Sequence, residues 1–164
     1  MTSEMTSEML AVSLETPETL LKSWQGHRRL TRKTIEAFPE EKLFEFSLGG
    51  MRTYGHMVLE MIGMTGPVVE GVLSGMWTTF NSGKVATKKE VLALWDEQTM
   101  LLQERFPKIP EARFWAMDKA FGQWEMPGIV MIRYAIDNEI HHRGEGYVYL
   151  RVLGIEPPAF YDRN

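Results

Sequence analysis

Apolar residues recur along this chain at the three-and-four spacing of an α-helix, in four long segments separated by proline and glycine. The first segment opens at Thr16-Pro17-Glu18, a hydroxyl N-cap followed by proline at the first helical position and an acid near the positive helix end. Leu20, Leu21, Trp24, Leu30, Ile35 and Phe38 form its stripe, Pro39 ends it, and the spacing predicts a helix over 17–37. Residues 40–50 read as a connector with a short helical turn, closed by Gly49-Gly50. A second helix over 52–74 carries Met57, Val58, Met61, Ile62, Val68, Val69, Val72 and Leu73, with a kink expected near Pro67. After a polar loop over 75–86, Thr87-Lys88-Lys89-Glu90 fits a capping box. The third helix, 88–105, follows with Val91, Leu92, Leu94, Trp95, Leu101 and Leu102 before Phe106-Pro107. Residues 107–126 show no helical period, and alternation in Arg113-Phe114-Trp115-Ala116-Met117 is too poor to predict a sheet. A fourth helix over 127–153 is stopped by Gly154 and Pro157-Pro158.

Four long amphipathic segments with no strand predict an all-α domain, a four-helix bundle of antiparallel type occupying residues 15–164. Residues 1–14 begin with a repeated Met-Thr-Ser-Glu and read as a flexible or loosely docked tail. The composition fits this picture: 44% of the 164 residues are hydrophobic and 24% charged, so the chain can form a core of its own. Its 12 Met and 5 Trp suggest a thick core filled by long side chains, with the Met-rich second helix (Met51, Met57, Met61, Met64) serving as core or dimer surface. A net charge of −4 argues against nucleic acid and anionic membranes as partners. The first ten residues carry Glu4 and Glu8 and no basic residue, unlike a signal peptide, and no uninterrupted apolar run approaches the roughly 18 residues of a membrane span. A cytoplasmic location is the expectation.

The chain has no cysteine, which excludes disulfides, thiolate nucleophiles and Cys-ligated metals; any thiol chemistry needs a thiol from outside. The informative segment is Asp137-Asn138-Glu139-Ile140-His141-His142-Arg143-Gly144-Glu145. Adjacent His141 and His142 project about 100° apart and are poorly placed to face one ion. Asn138 and His142, at i and i+4, share a face, as bundles require of inward ligands, and Glu139 lies within i, i+3 reach of His142. On the second helix His56 and Glu60 repeat the i, i+4 spacing, a pair suited to zinc, iron, nickel or manganese. Against this stand blander readings: solvated imidazoles, or an intrahelical hydrogen bond. The run His27-Arg28-Arg29 with Arg32 and Lys33 reads as a solvated helix face, and Arg143 requires a carboxylate, Glu139 or Glu145. No phosphate loop, serine nucleophile elbow or zinc-protease motif is present.

Arg-Thr-Tyr-Gly-His-Met-Val-Leu-Glu-Met (52–61), Asp-Asn-Glu-Ile-His-His-Arg-Gly-Glu (137–145) and the run from Tyr147 to Pro158 together resemble the DinB-like, damage-inducible superfamily over about Leu20–Pro158. The resemblance implies an up-down-down-up four-helix bundle, often a homodimer, with a divalent metal held by one histidine of the second helix and two of the fourth. It also implies, for some relatives, transferase or isomerase work on small molecules with an external low-molecular-weight thiol. Carried over by position, the ligand set here is Glu60, Asn138 and His142, with His56 one turn before Glu60, and Glu145 stands where glutamine is usual. Such a set shifts preference from soft metals toward Mn²⁺, Mg²⁺ or Ca²⁺. Two functions follow: a metal-dependent transferase or hydrolase, or a noncatalytic bundle with a binding or stress-response role, in which Glu60 and His142 pair directly.

Overall fold

The computed structural model describes residues 15–164, so the predicted tail lies outside the described residues apart from its junction at Glu15. Helix α1 spans Pro17–Ala37, and Thr16 caps it in a reciprocal box with Thr19. The expected turn in the first connector is a short helix, α2, Lys42–Glu45. Helix α3 covers Tyr54–Ser74, opens on the Thr53 side chain and runs through Pro67 to a left-handed Gly75 (φ 78°). Helix α4 is Lys88–Arg105 with the predicted Thr87/Glu90 box in place, and α6 is Gly128–Val152.

The stretch 107–126 is more ordered than its sequence suggests. A single 3₁₀ turn (Phe106–Lys108) leads into a short helix α5, Glu111–Trp115. A two-stranded antiparallel hairpin follows, β1 (Met117–Ala120) on β2 (Trp124–Pro127), which corrects the expectation of no strand. Phe121 and Gly122 both take positive φ at its turn (52° and 69°). The left-handed Phe121 is tolerated because its ring packs edge-on against Trp77 and Trp124. Arg113 ties this insert to the bundle: it donates to the Val72 carbonyl at the end of α3 (2.7 Å) and pairs with Asp118 (2.7 Å).

The four long helices form a ring in which α1 and α3 lie diagonally opposite, each packed on α4 and α6. Two core clusters give their directions. One end gathers Leu20 and Trp24 with Val69, Val72, Leu102 and Met131; the other gathers Ile35 with Met57, Val58, Val91 and Leu150. Helices α1 and α6 therefore run one way and α3 and α4 the other, the up-down-down-up order. This is the order the resemblance implies, in which α3 and α4 are neighbours that run parallel, as are α1 and α6. Helix α3 is by length and composition apolar enough to cross a membrane (mean hydropathy 1.3), yet 61% of that window is buried within the molecule.

The centre of the bundle is polar. Glu139 of α6 is 1% exposed and its carboxylate accepts from Thr31 Oγ1 (2.7 Å) and Trp24 Nε1 (3.1 Å), both on α1. Arg28 and Arg143 stand 3.9 Å away on either side. Arg28, fully buried, donates to Thr65 of α3 and to Thr99 and the Trp95 carbonyl of α4, and lies 3.5 Å over the Trp95 ring. Arg143 donates to Thr31 and His27. Burial pushes the Glu139 carboxyl up from its ordinary value, opposed first by the Arg28 charge, and burial lowers Arg28 to about 10.

The solvated-face reading of the basic run thus fails at His27 and Arg28, which face this centre. It holds only in part for Arg29 and Lys33, which meet the returning C-terminal segment at the Arg163 carbonyl (2.7 Å) and Asp162 (3.3 Å). Glu139→Ala strips the two arginines of their buried counter-charge. It is expected to cost about 3–5 kcal/mol in urea unfolding, whereas truncation of the exposed Lys119 leaves the midpoint within about 0.5 kcal/mol.

Candidate functional site between α3 and α6

Two turns of α6 carry two polar faces. Glu139 and Arg143 point to α1, while Asn138, His142 and Glu145 point toward α3 and the stretch before it. Helix α3 places Glu60 opposite, less than two turns after its N-terminus. Close approach of the two helices depends on Gly146: a Cβ there would lie 2.4 Å from the Tyr54 ring.

Glu60 Oε1 accepts from Asn138 Nδ2 (2.9 Å) and stands 3.2 Å from His142 Nε2. The three residues named from the sequence therefore meet. The meeting point is a notch at the solvent edge rather than the bundle interior, since the Glu60 side chain is 36% exposed, while His142 is 6% exposed. His56 is not brought to them. It is exposed, its Nδ1 lies 2.7 Å from Thr53 Oγ1, and its ring meets Phe44 edge-on.

Three further residues belong to the notch. Glu145 Oε2 lies 2.6 Å from His142 Nδ1, and its other oxygen lies 3.5 Å from His141 Nε2. One donor atom each of His141, His142 and Glu145 fall within 4.8 Å of one another, a spacing compatible with a metal ion. The 100° between adjacent histidines does not keep them apart, because their rings turn to a 5.1 Å separation and one long carboxylate spans both. The signal was present as carboxylate spacing, i+3 from His142 and i+4 from His141. The third residue is Arg52, in the non-helical stretch before α3. Its Nη1 pairs with Glu60 Oε2 and its Nη2 lies 3.5 Å from His142 Nε2.

The electrostatics are those of a carboxylate held ionised. Burial alone would raise the Glu60 carboxyl, but hydrogen bonds from Asn138, Arg52 and His142 bring it down to about 2. A neutral His142 carries one N–H and has a carboxylate at each ring nitrogen, so one of the two contacts lacks a proton. In the tautomer with the hydrogen on Nδ1, held by Glu145, Nε2 gives up its hydrogen bond to Glu60 and offers its lone pair to a cation. Asn138 adds a second sign. Its Nδ2 serves Glu60, and its buried Oδ1 has no hydrogen-bond partner. One imidazole nitrogen, carboxylate oxygens and an unused amide oxygen form a chemically suitable donor set for a divalent cation.

This fold has counterparts. The chain is 23% identical over 146 residues to the uncharacterized protein YjoA of Bacillus subtilis, covering 85% of this chain and 92% of that protein. The crystal structure of YjoA, a DinB-like protein, superposes with a TM-score of 0.73 at 18% identity, over 88% of this chain and 99% of its own. A DinB-like protein from Bacillus cereus gives the same TM-score at 20% identity, over 88% and 97%. These identities speak for the fold alone. The family model for DinB matches residues 5–164, which takes in both faces of the notch and every helix of the bundle, and the chain accordingly belongs to the DinB family.

Proposed function

We propose that the notch between α3 and α6 is a divalent-cation site and that the chain is a metal-dependent transferase or hydrolase acting on a small molecule. The observation that supports this best is the buried His142 ring with a carboxylate at each nitrogen, Glu145 at 2.6 Å and Glu60 at 3.2 Å. His142, Glu60 and the Asn138 amide oxygen would hold the ion, and Glu145 orients the imidazole through Nδ1. A cation bound here supplies the chemistry of lowering the pKa of a water or of an incoming thiol. Because the chain has no cysteine, such a thiol is an external low-molecular-weight one. Asn138 keeps the Glu60 carboxylate turned toward His142, and the exposed side of the notch leaves room for a substrate to approach.

The reading of a noncatalytic bundle is favoured by one observation, the Arg52 guanidinium already paired with Glu60. Elemental analysis of the purified chain separates the two. Stoichiometric Mn, Fe, Ni or Zn that is lost in His142→Ala, with the helical circular dichroism unchanged, supports the cation site. A native chain that takes up no metal on dialysis against any of the four supports the noncatalytic bundle.

Assembly as a homodimer belongs to the same proposal. The outer face of α6 leaves Val130, Tyr134, Val148 and Val152 exposed. At 100° per residue these fall within an arc of about 40°, with Gly144 close beside them. Light scattering at micromolar concentration is expected to return twice the 18.9 kDa chain mass. Tyr134→Glu, which sets a charge on that face, is expected to return the single-chain mass.

A further inference from the structure

The geometry points to Arg52 as a built-in cation that occupies the notch in competition with a metal and thereby sets its affinity, an inference that rests on the cation-site reading above. One guanidinium reaches both ligands of an incoming ion: Nη1 pairs with Glu60 Oε2, the oxygen beside the one that meets His142, and Nη2 lies 3.5 Å from His142 Nε2 itself. A metal–ligand bond to nitrogen or carboxylate oxygen is roughly 2.0–2.2 Å long and uses the lone pair the guanidinium now faces. The single lone pair of His142 Nε2 cannot serve both cations at once, and like charge sets the guanidinium against an ion beside Glu60.

Arg52 is built as an arm on a fixed post. Its carbonyl accepts from Tyr149 Oη (2.8 Å), and the next residue, Thr53, is the N-cap of α3, so the backbone is anchored on both sides. Its side chain is 52% exposed, and among the described residues its one ion pair is with Glu60. Swinging outward therefore gives up one ion pair and exchanges it for water, with no cost to the core. Inward, the arm neutralises Glu60 and faces His142 Nε2 without a metal, while Asn138 Oδ1 stays without a partner. Outward, it leaves Glu60, His142 and the partnerless Asn138 Oδ1 to the ion.

Apparent affinity is the intrinsic affinity multiplied by the fraction of molecules whose arm is out. An arm that is inward at least about nine-tenths of the time weakens metal binding by about tenfold or more. Arg52→Gln removes the charge and keeps most of the side chain. Titration calorimetry with MnCl₂ and with ZnCl₂ compares the native chain, Arg52→Gln and Arg52→Gln combined with His142→Ala.

The expected result is binding at least about tenfold tighter in Arg52→Gln, abolished by the added His142→Ala. In the native chain, saturating Zn²⁺ is also expected to move the Arg52 Nε–Hε resonance in NMR spectra. Equal affinities in the native chain and Arg52→Gln, with that resonance unmoved, overturn the competition and leave the cation site standing. No binding in either protein, both folded by circular dichroism, removes the cation site and the competition together. Binding by Arg52→Gln alone supports the competition and makes the native arm a lock.

Discussion

A carboxylate buried in the middle of a helical bundle sets the terms for everything around it. Glu139 cannot be solvated where it sits, so three helices beside its own supply what water would have given. α1 gives Thr31, Trp24 and Arg28, while α3 and α4 satisfy the other side of Arg28 through Thr65, Thr99 and the Trp95 carbonyl. Buried ion sets of this kind contribute little net stability, because desolvation consumes most of the attraction, but an arrangement that leaves one member unmatched is heavily penalised. The network therefore acts on rotation and register. With Glu139 and Arg143 turned to α1, the neighbouring positions 138, 142 and 145 must turn to α3. The notch is placed by a contact that takes no part in its chemistry.

Much of the fold was legible because its signals are local. The apolar stripes, the hydroxyl caps at Thr16 and Thr87 and the stops at Pro39 and Gly75 act within one or two turns, and the helices begin and end where they say. What was hidden depends on distant residues. Arg28 sits in a basic run that looks solvated, and nothing within its own helix reveals a carboxylate 111 positions later. The hairpin at 117–127 has little alternation because its residues pack on Trp77 and the bundle's flank rather than forming one face of a sheet. The parallel course of α3 and α4 is likewise a property of packing, since either order buries the same stripes.

The candidate site divides along the same line. Asn138 with His142 was legible from helical spacing, and Glu60 from its position in the motif; the structure brings all three together. His56 shows the weakness of spacing alone, since the same i, i+4 relation to Glu60 leaves it capping with Thr53 outside the notch. Arg52 was not legible as part of the site because it precedes the helix and reaches forward eight residues, beyond any helical period. Glu145 and His141 were not legible as one cluster because backbone direction alone leaves out the reach of the Glu145 side chain, whose carboxylate spans both histidines.

Glu60 and Arg52 make physical sense only together. A site of three neutral histidines, as the family resemblance implies, carries no charge of its own and can stand without an ion. Placing a glutamate in that position adds a negative charge beside a buried imidazole and a second carboxylate, Glu145, on its far side. Such a cluster needs positive charge whether or not a metal is present, and the Glu60 carboxyl, held down at about 2 by its donors, does not escape the need by taking up a proton near neutral pH. The guanidinium of Arg52 meets it from a half-exposed side chain that lies outside the helix carrying Glu60. On the cation-site proposal, the balance that holds the notch together without a metal would be the same balance a metal must overcome, and one residue outside the helices would enter both.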